Sequence, residues 1–315
     1  MTNYQVKKPK IIVILGPTAA GKSNLAVKIG RRFNGEIISA DSRQVYKGMN
    51  LGAGKITRKE MQGIPHYLLD VANPRTRFSV AKYRKLALAA MGKIFKKNKI
   101  PVICGGTGFY LQAIIDGVLI PEVRPDWKLR QKLTKKTTRE LYQILKKLDP
   151  KRASNIDKNN PRRLIRAIEI VLKTKKPVPA FQKNPLAYPV LIIGIKKSLP
   201  ELKKLISQRL LKRLKQGMVV EVKNLKRSGL SWKRLEEFGL EYRWLARYLQ
   251  NKISYREMIE GLQKDIEHFA KRQLTWFTRQ NFAEQNLGGF KKDRRIQWVK
   301  NHKEAEELIK EFLSR

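Results

Sequence analysis

The stretch Gly16-Pro-Thr-Ala-Ala-Gly-Lys-Ser23 decides the fold of this chain, because it has the Gly-x₄-Gly-Lys-Ser spacing of a phosphate-binding loop. The apolar run Ile11–Leu15 precedes it and predicts a buried strand, and apolar residues at helical spacing follow it. Strand, loop and helix in this order let backbone N–H groups converge on an anion at a helix N-terminus. The sequence therefore predicts a site for a diphosphate or a triphosphate.

Two side chains of this loop carry chemistry of their own. Lys22 adds a mobile positive charge, and Ser23 can offer its hydroxyl to a Mg²⁺ ion. The loop suits ATP and other nucleoside triphosphates as well as a smaller diphosphate, since all of them present the same group. The nature of the phosphate donor stays open at this point.

The charge of the chain lies far outside the range of ordinary soluble proteins. Its 315 residues include 69 Lys and Arg against 26 Asp and Glu, a formal net charge of +43. Hydrophobic residues make up 42% of the chain, too many for a disordered basic tail. We therefore expect a folded protein with a strongly positive field, which attracts polyanions and above all nucleic acid.

The cysteine count and the hydropathy of the chain indicate the cellular compartment in which the protein is expected. Cys104 is the only cysteine, which excludes an intrachain disulfide and a cysteine-cluster zinc site. It lies in a predicted strand, so we expect a packed thiol rather than a nucleophile. Residues 1–10 lack the apolar segment of a signal peptide, and no apolar run approaches the roughly 20 residues of a membrane span. A cytoplasmic protein without a membrane partner is expected.

Apolar patterns divide the chain into an α/β core and a helical insertion. Strands are predicted at 11–15, 36–40, 101–104 and 189–195, and helices at 79–97, from 161, at 200–216, from 254 to about 278 and at 305–313. Strands that alternate with helices indicate a parallel sheet flanked by helices, here of the P-loop NTPase-like type. The gap 121–188 shows helical patterns alone. The core is therefore predicted to comprise residues 1–120 and 189–315.

Two polar turns follow predicted strands. Asp41 ends the second strand, and Gly105-Gly-Thr-Gly108 follows the third. Because the carboxyl ends of parallel strands face the ligand crevice, we expect both turns beside the phosphate loop. Position alone leaves two interpretations of Asp41 open, namely a general base or Mg²⁺ ligand and a cap of the turn that follows it.

Two arginines suit a diphosphate. Arg209 and Arg213 lie one turn apart on a predicted helix, and their planar groups could donate two hydrogen bonds each to phosphate oxygens. Solvated charge on the surface of a basic protein is the other interpretation. The sequence alone does not separate the two.

Several segments together resemble the tRNA dimethylallyltransferases (tRNA isopentenyltransferases) of the bacterial type. Besides the phosphate loop they are Ser39-Ala-Asp-Ser42, Val45-Tyr-Lys-Gly-Met49, Pro65-His-Tyr-Leu-Leu-Asp70, Gly105-Gly-Thr107, Asn160-Pro-Arg-Arg-Leu-Ile-Arg-Ala167, Gln208-Arg209 with Arg213, and Lys271-Arg-Gln-Leu-Thr-Trp276. The resemblance implies transfer of a dimethylallyl group from dimethylallyl diphosphate to N6 of the adenine directly 3′ of the tRNA anticodon. It also implies Mg²⁺ as cofactor, release of diphosphate, the tRNA anticodon stem-loop as partner and action as a monomer.

The same resemblance implies roles for individual residues. The catalytic residues would be Asp41, as the base acting on the adenine amine, and Thr107. The diphosphate would be bound by Gly16, Pro17, Thr18, Ala19, Ala20, Gly21, Lys22, Ser23, Arg209 and Arg213, with Ser23 also holding the metal. The tRNA would be contacted by Thr18, Asp41, Ser42, Arg43, Gln44, Thr107, Arg130, Arg162, Arg163, Arg166, Tyr242 and Arg243. One segment departs from the family pattern, because Leu240 and Glu241 separate Gly239 from Tyr242 where many members have Gly-Tyr-Lys/Arg.

Two other functions account for parts of the pattern. A P-loop kinase or NTPase acting on a small molecule explains the phosphate loop but gives the positive field no purpose. A non-catalytic RNA-binding protein explains the charge but not two ligand-ready turns at strand ends. Prenyl transfer to tRNA accounts for both features.

Overall fold

The computed structural model describes residues 9–118, 121, 123–179, 183–278 and 295–315. Within them the strands are β1 Ile11–Leu15, β2 Gly35–Ser39, β3 His66–Tyr67, β4 Ile100–Gly105, β5 Val190–Ile195 and β6 Ile296–Val299. The helices in the same residues are α1 Lys22–Arg32, α2 Arg58–Met61, α3 Val80–Phe95, α4 Gly108–Ile115, α5 Trp127–Thr134, α6 Thr138–Leu148, α7 Pro150–Ser154, α8 Pro161–Thr174, α9 Leu199–Lys215, α10 Met218–Arg227, α11 Trp232–Phe238, α12 Leu240–Leu249, α13 Tyr255–Thr278 and α14 His302–Ser314. The predicted α/β class is confirmed.

The described strands form one parallel sheet in the order β3-β2-β4-β1-β5-β6. β1 lies between β4 and β5, with Val13 opposite Ile103 on one side and Ile192 on the other. Every residue of β1 is fully buried, as expected for a strand with helices on both faces of its sheet. The carboxyl ends of β1, β2 and β4 meet at one edge, so the loops that follow them lie side by side.

The four predicted strands are confirmed, with each end within one residue of its predicted position. β3 and β6 are absent from the sequence prediction. β3 has two residues, His66 and Tyr67, which is too short for any periodicity to show. β6 has four residues and buries only its first and last, Ile296 and Val299. Both strands lie at the edges of the sheet, where a continuous apolar run is not required.

Helices α5 to α8 form the helical insertion. Leu141 of α6 and Leu164 of α8 are fully buried in an apolar cluster separate from that of the sheet. Asn160 caps α8 as predicted, since its side chain accepts a hydrogen bond from the N–H of Arg163 at 3.2 Å. The predicted domain boundary at residue 120 lies outside the described residues, and the division into two domains stays a prediction.

The helices after β5 return the chain to the carboxyl edge of the sheet. α13 begins behind the predicted capping box, in which the N–H of Ser254 donates to Glu257 and the N–H of Glu257 donates to Ser254. α13 packs against α9, α12 and α4. Its last turns therefore lie beside the turn that follows β4.

The sequence predicts neither a membrane-spanning segment nor a signal peptide, and the structure bears on the first of these two expectations. Among the helices that the structure describes, none is long and apolar enough to cross a membrane. The segment 1–8, which is most of the stretch that lacks signal-peptide features, lies outside the described residues. The expectation of a cytoplasmic protein stays a prediction.

Candidate active site

The phosphate loop joins β1 to α1 in a conformation that needs its glycines. Gly16 has a φ of 149° and Gly21 a φ of 89°, values that favour glycine. A Cβ at Gly16 would also lie 3.2 Å from the carbonyl oxygen of Ile195. No side chain caps α1 at Gly21. The first N–H groups of α1 thus stay available to an anion held in the loop.

Lys22 is folded over the phosphate loop. Its Nζ donates a hydrogen bond to the carbonyl oxygen of Pro17 at 2.6 Å. Burial lowers the pKa of Lys22 to about 8, while the charge of Asp41 acts to raise the pKa and that of Arg209 acts to lower it. A charge that shifts the pKa of Lys22 must lie close to it. Lys22, Asp41 and Arg209 therefore belong to one site.

Arg209 and Arg213 point from α9 into the same crevice. Burial lowers the pKa of Arg209 to about 10, and it lowers the pKa of Arg213 as well. Arg209 donates a hydrogen bond to the carbonyl oxygen of Gly54 at 3.3 Å, and a Cβ at Gly54 would overlap both guanidinium groups. The alternative of solvated surface charge is therefore excluded. Two adjacent buried cations repel each other, and a bound diphosphate would relieve that repulsion.

Asp41 and Thr107 lie in two turns that are tied together. Thr107 Oγ1 accepts a hydrogen bond from the N–H of Ser42 at 3.0 Å. Asp41 Oδ1 accepts hydrogen bonds from the N–H of Arg43 at 2.7 Å and from the N–H of Gln44 at 3.2 Å. The interpretation of Asp41 as a turn cap thus holds for one carboxylate oxygen. The role of a base requires only the other.

The side chains of Arg43 and Gln44 are held by neighbouring loops. Arg43 Nε donates a hydrogen bond to the carbonyl oxygen of Phe238 at 2.7 Å. Gln44 accepts a hydrogen bond from Ser39 Oγ at 3.1 Å and donates one to the carbonyl oxygen of Gly54 at 3.2 Å. Both side chains are half-buried, which leaves part of each open to a ligand. Their contacts with RNA stay predictions.

Gln273 connects two of these loops and has no role in the sequence prediction. It lies near the end of α13 and is 7% exposed. Its Oε1 accepts a hydrogen bond from the N–H of Thr18 at 2.7 Å, and its Nε2 donates one to the carbonyl oxygen of Gly106 at 2.9 Å. Two signals in the sequence could have pointed to it. Gln273 lies within the family-like segment Lys271-Arg-Gln-Leu-Thr-Trp276, and it is a polar residue on the face of α13 that also carries the buried Ala270 and Phe277.

Comparison with known proteins defines the family. The family model described as IPP transferase matches residues 44–280. A tRNA dimethylallyltransferase of Acetivibrio thermocellus is 40% identical over 302 residues, which are 93% of this chain and 96% of that protein. Another, from a Thermoanaerobacter species, is 39% identical over 316 residues and covers 96% of both chains. The chain belongs to the IPP transferase family.

Solved structures agree with this membership of the IPP transferase family. A tRNA isopentenylpyrophosphate transferase of Bacillus halodurans has a TM-score of 0.69 and 32% identity, covering 98% of this chain and 96% of that one. A eukaryotic dimethylallyltransferase that acts on tRNA has a TM-score of 0.80 and 24% identity, covering 97% of this chain and 80% of that one. At that identity the second likeness shows the fold alone. The predicted P-loop NTPase-like sheet is the fold of the family.

Tyr242, which was expected to contact tRNA, lies in the protein core. It is fully buried, and its hydroxyl donates a hydrogen bond to Glu221 Oε1 at 2.9 Å. The same carboxylate accepts hydrogen bonds from the N–H groups of Asn50, Leu51 and Gly52. The prediction that Tyr242 contacts tRNA is therefore wrong, because its ring is part of the core and its hydroxyl is directed at Glu221.

Glu241 is a second acidic group in the crevice, and the sequence prediction did not include it. Burial raises the pKa of Glu241, while the positive charges of Arg213 and Arg209 act in the opposite direction. Its Oε1 lies 3.6 Å from Arg213 Nη1. Glu241 is thus the partner that holds Arg213, one of the two arginines predicted to bind the diphosphate. The neighbouring Arg243 is half-buried, and its RNA contact stays a prediction.

Two of the predicted RNA-binding arginines are paired inside the insertion. Glu169 of α8 is fully buried and accepts hydrogen bonds from Arg130 at 2.8 and 2.6 Å and from Arg166. Arg166 also donates hydrogen bonds to the carbonyl oxygens of Pro121 and Val123. These two arginines therefore hold the start of the insertion in place. A tRNA contact at either residue would use a charge that is already compensated.

The other two arginines of α8 are more accessible. Arg162 is exposed, and Arg163 is half-buried with its Nη1 3.9 Å from Asp157 Oδ2. A distance of that length indicates a weak, solvent-screened pair. Of the four arginines predicted to contact tRNA from the insertion, Arg162 is thus the best placed to meet a phosphate.

We expect Glu169→Gln to lower the free energy of unfolding by about 3 kcal/mol, because it leaves two guanidinium groups without their anion. Burial acts to raise the pKa of Glu169, but hydrogen bonds from Arg130, the N–H of Asp126 and Arg166 bring it below the ordinary value. This contribution to stability is present above the ordinary glutamate pKa and is lost as the pH falls through the lowered one. Urea unfolding between pH 3 and 7 measures it.

The matched control for that prediction is Glu260→Gln, which removes an exposed partner of Arg256 on α13. Exposed pairs of this kind contribute at most about 1 kcal/mol. Equal effects of the two substitutions at pH 7 would contradict a structural role for Glu169.

Cys104 is a packed thiol in β4, as predicted. It is 7% exposed. Burial raises the pKa of Cys104 to about 12, which the charge of Lys22 opposes and that of Asp41 reinforces. The thiol therefore stays protonated at neutral pH and does not act as a nucleophile.

Proposed function

We propose that this member of the IPP transferase family transfers a dimethylallyl group from dimethylallyl diphosphate to N6 of the adenine directly 3′ of the anticodon in tRNA. One observation carries the proposal, namely that Gln44, in the turn that Asp41 caps, and Arg209 both donate a hydrogen bond to the carbonyl oxygen of Gly54. A base for an amine and a cationic site for a diphosphate thus share one crevice. The names of the relatives support the choice of donor and acceptor.

The proposed reaction forms a bond between N6 and C1 of the dimethylallyl group and breaks the bond between C1 and the diphosphate oxygen. The N6 proton goes to the carboxylate of Asp41, and diphosphate leaves with the electron pair of the C–O bond. The adenine amine is a poor nucleophile because its lone pair is delocalised into the ring. Removal of its proton by a positioned base contributes typically about 10²–10⁴-fold to the rate.

Besides a base, the reaction needs groups that stabilise the negative charge on the departing diphosphate. The N–H groups of the phosphate loop and the cations Lys22, Arg209 and Arg213 would stabilise that charge. Because both arginines are buried, their attraction for the diphosphate is weakly screened by water. Most of the leaving-group stabilisation is therefore expected from these three side chains and the loop.

Mg²⁺ is part of the proposal. Enzymes that act on phosphates hold this ion with one or two protein oxygens together with substrate oxygens and water. The exposed Ser23 in the first turn of α1 offers a hydroxyl oxygen of this kind beside the phosphate loop, so this residue fits the ion. When bound, Mg²⁺ supplies positive charge to the leaving diphosphate.

The acceptor adenine must leave its stack to enter the crevice, which a single-stranded anticodon loop permits at modest cost. Exposed basic residues of the insertion, with Arg162 among them, would hold the phosphates of the anticodon stem-loop. All of these residues belong to one chain, which supports a monomer as the active form. A tRNA substrate supports a reaction in the cytoplasm.

The experiment that tests this function incubates the protein with unmodified tRNA, Mg²⁺ and radiolabelled dimethylallyl diphosphate. Label in the RNA, mapped to the adenine next to the anticodon, is the expected result. Turnover of ATP without labelled RNA would instead favour the kinase alternative. RNA binding with neither activity would favour a binding protein, and both of these outcomes contradict the proposal.

We expect Arg162→Ala to weaken tRNA binding and to reduce the slope of log K against log salt by about one, because one phosphate contact is lost. Binding titrations at several salt concentrations measure the slope. Lys310→Ala, which removes an equal charge from the exposed face of α14, is the matched control and should leave the slope unchanged. Equal slopes for the two variants would contradict RNA contact at Arg162.

A further inference from the structure

Gln273 makes two hydrogen bonds that differ in direction. Thr18 offers an N–H, which can only donate, and Gly106 offers a carbonyl, which can only accept. The orientation of the Gln273 amide is thus determined by its partners. Of the side chains of similar size, only a neutral amide or a protonated carboxyl group can make both bonds at once.

The two partners of Gln273 belong to opposite halves of the reaction. Thr18 lies in the phosphate loop, which is the donor side. Gly106 directly precedes Thr107, whose Oγ1 holds the N–H of Ser42 at 3.0 Å beside Asp41, and this is the acceptor side. One amide therefore joins the donor loop to the turn that positions the base.

Local packing shows that the site is built around this amide. A Cβ at Gly106 would overlap Gln273 Nε2, and it would lie 3.3 Å from the carbonyl oxygen of Gly16. The glycine lets the amide approach the turn and lets the turn approach the phosphate loop. At 7% exposure, Gln273 exchanges neither hydrogen bond readily for one to water.

We propose that Gln273 is a positioning residue that holds the donor loop and the acceptor turn in register. It makes no contact with the reacting atoms and acts through Thr18 and Gly106. The proposal rests on the proposed function, because it takes the phosphate loop as the site of dimethylallyl diphosphate. A displacement of one ångström between reacting groups can lower a rate by about 10²-fold.

The test compares Gln273→Met with Gln273→Glu. In the Met variant both hydrogen bonds are lost, so we expect donor affinity to fall about 10-fold and kcat about 10²-fold, with tRNA affinity within twofold of the wild type. Dimethylallyl diphosphate is titrated calorimetrically without tRNA, so that no reaction occurs. Transfer to labelled tRNA is measured separately.

The Glu variant tests the proposal through the pH dependence of its donor affinity, which would not change if the role of Gln273 were only structural. When its new carboxyl group is ionised, that group accepts a hydrogen bond from the N–H of Thr18 but repels the carbonyl oxygen of Gly106. Protonated, it makes both hydrogen bonds, and burial raises the pKa of such a carboxyl group above its ordinary value of about 4.3. The ratio of its donor affinity to that of the wild type should therefore be about 0.1 at pH 8 and return towards one near pH 5.5.

Gln263→Glu is the matched control, since it makes the same change on α13 at a half-buried residue bonded to Glu267. Its affinity ratio should stay near one at each pH. Donor affinities within twofold of the wild type in both Gln273 variants would overturn the proposal. The proposal would also be overturned if the donor affinity of the Glu variant stayed low at pH 5.5. Unfolding of either variant at pH 8 would likewise overturn it, because Gln273 would then be a structural residue. Absence of transfer by the wild type would instead contradict the proposed function.

Discussion

Asp41→Asn is expected to lower kcat for prenyl transfer by about 10²–10⁴-fold while tRNA affinity stays unchanged. Asparagine keeps an oxygen that can accept the N–H groups of Arg43 and Gln44, so the turn retains its cap. It cannot take the proton of the adenine amine. Single-turnover transfer with saturating donor and tRNA measures the chemical step, and a binding titration measures tRNA affinity.

Asp41→Ala is the matched comparison, because it removes the base and the cap together. We expect the same loss of kcat with an additional loss of tRNA affinity, since the turn that carries Ser42 and Arg43 is no longer held. An asparagine variant that transfers at the wild-type rate would contradict the role of Asp41 as base. Equal tRNA affinities in both variants would show that the cap does not serve RNA binding.

Lys22→Met is expected to lower kcat/KM for dimethylallyl diphosphate by about 10²–10³-fold, since it removes a cation from the leaving-group site. Burial lowers the pKa of Lys22 to about 8 in the protein without donor. A bound diphosphate favours the charged form, so the wild type should bind donor more weakly as the pH rises through 8 and should take up a proton on binding. Calorimetry in buffers of different ionisation enthalpy measures that uptake.

The control for Lys22 is Lys28→Met, which removes an exposed lysine from the same helix beside His302. Its donor kinetics should match those of the wild type. Proton uptake above pH 8 that persists in Lys22→Met would assign the titration to another group, and unchanged donor kinetics in that variant would contradict a role for Lys22 in the phosphate loop.

Much of the core could be predicted because its signals are local. The phosphate loop, the strand before it and the helix after it are contiguous, and a strand buried on both faces shows itself as an apolar run. The position of the turns at Asp41 and Gly105-Gly-Thr107 can be predicted as well, because parallel strands align their carboxyl ends at one edge of the sheet. Edge strands as short as β3 give no comparable pattern.

The contacts that complete the site could not be predicted, because they join distant parts of the chain. Gln273 lies 255 positions from Thr18, and no spacing rule connects them. Arg162 and Arg166 look alike in the sequence, yet Arg166 is paired with Glu169 and Arg162 is exposed. Tyr242 failed as an RNA contact for the same reason, since its hydroxyl partner Glu221 lies on another helix.

Cys104 has a practical consequence for following this protein in solution. It is the sole thiol of the chain, it is buried in β4, and at neutral pH almost none of it is in the reactive anionic form. Maleimides are therefore expected not to label the native protein. A cysteine introduced on the exposed side of α8 would be the only position to take up a fluorophore, so movement of that helix as RNA docks could be followed without first removing a native sulfhydryl.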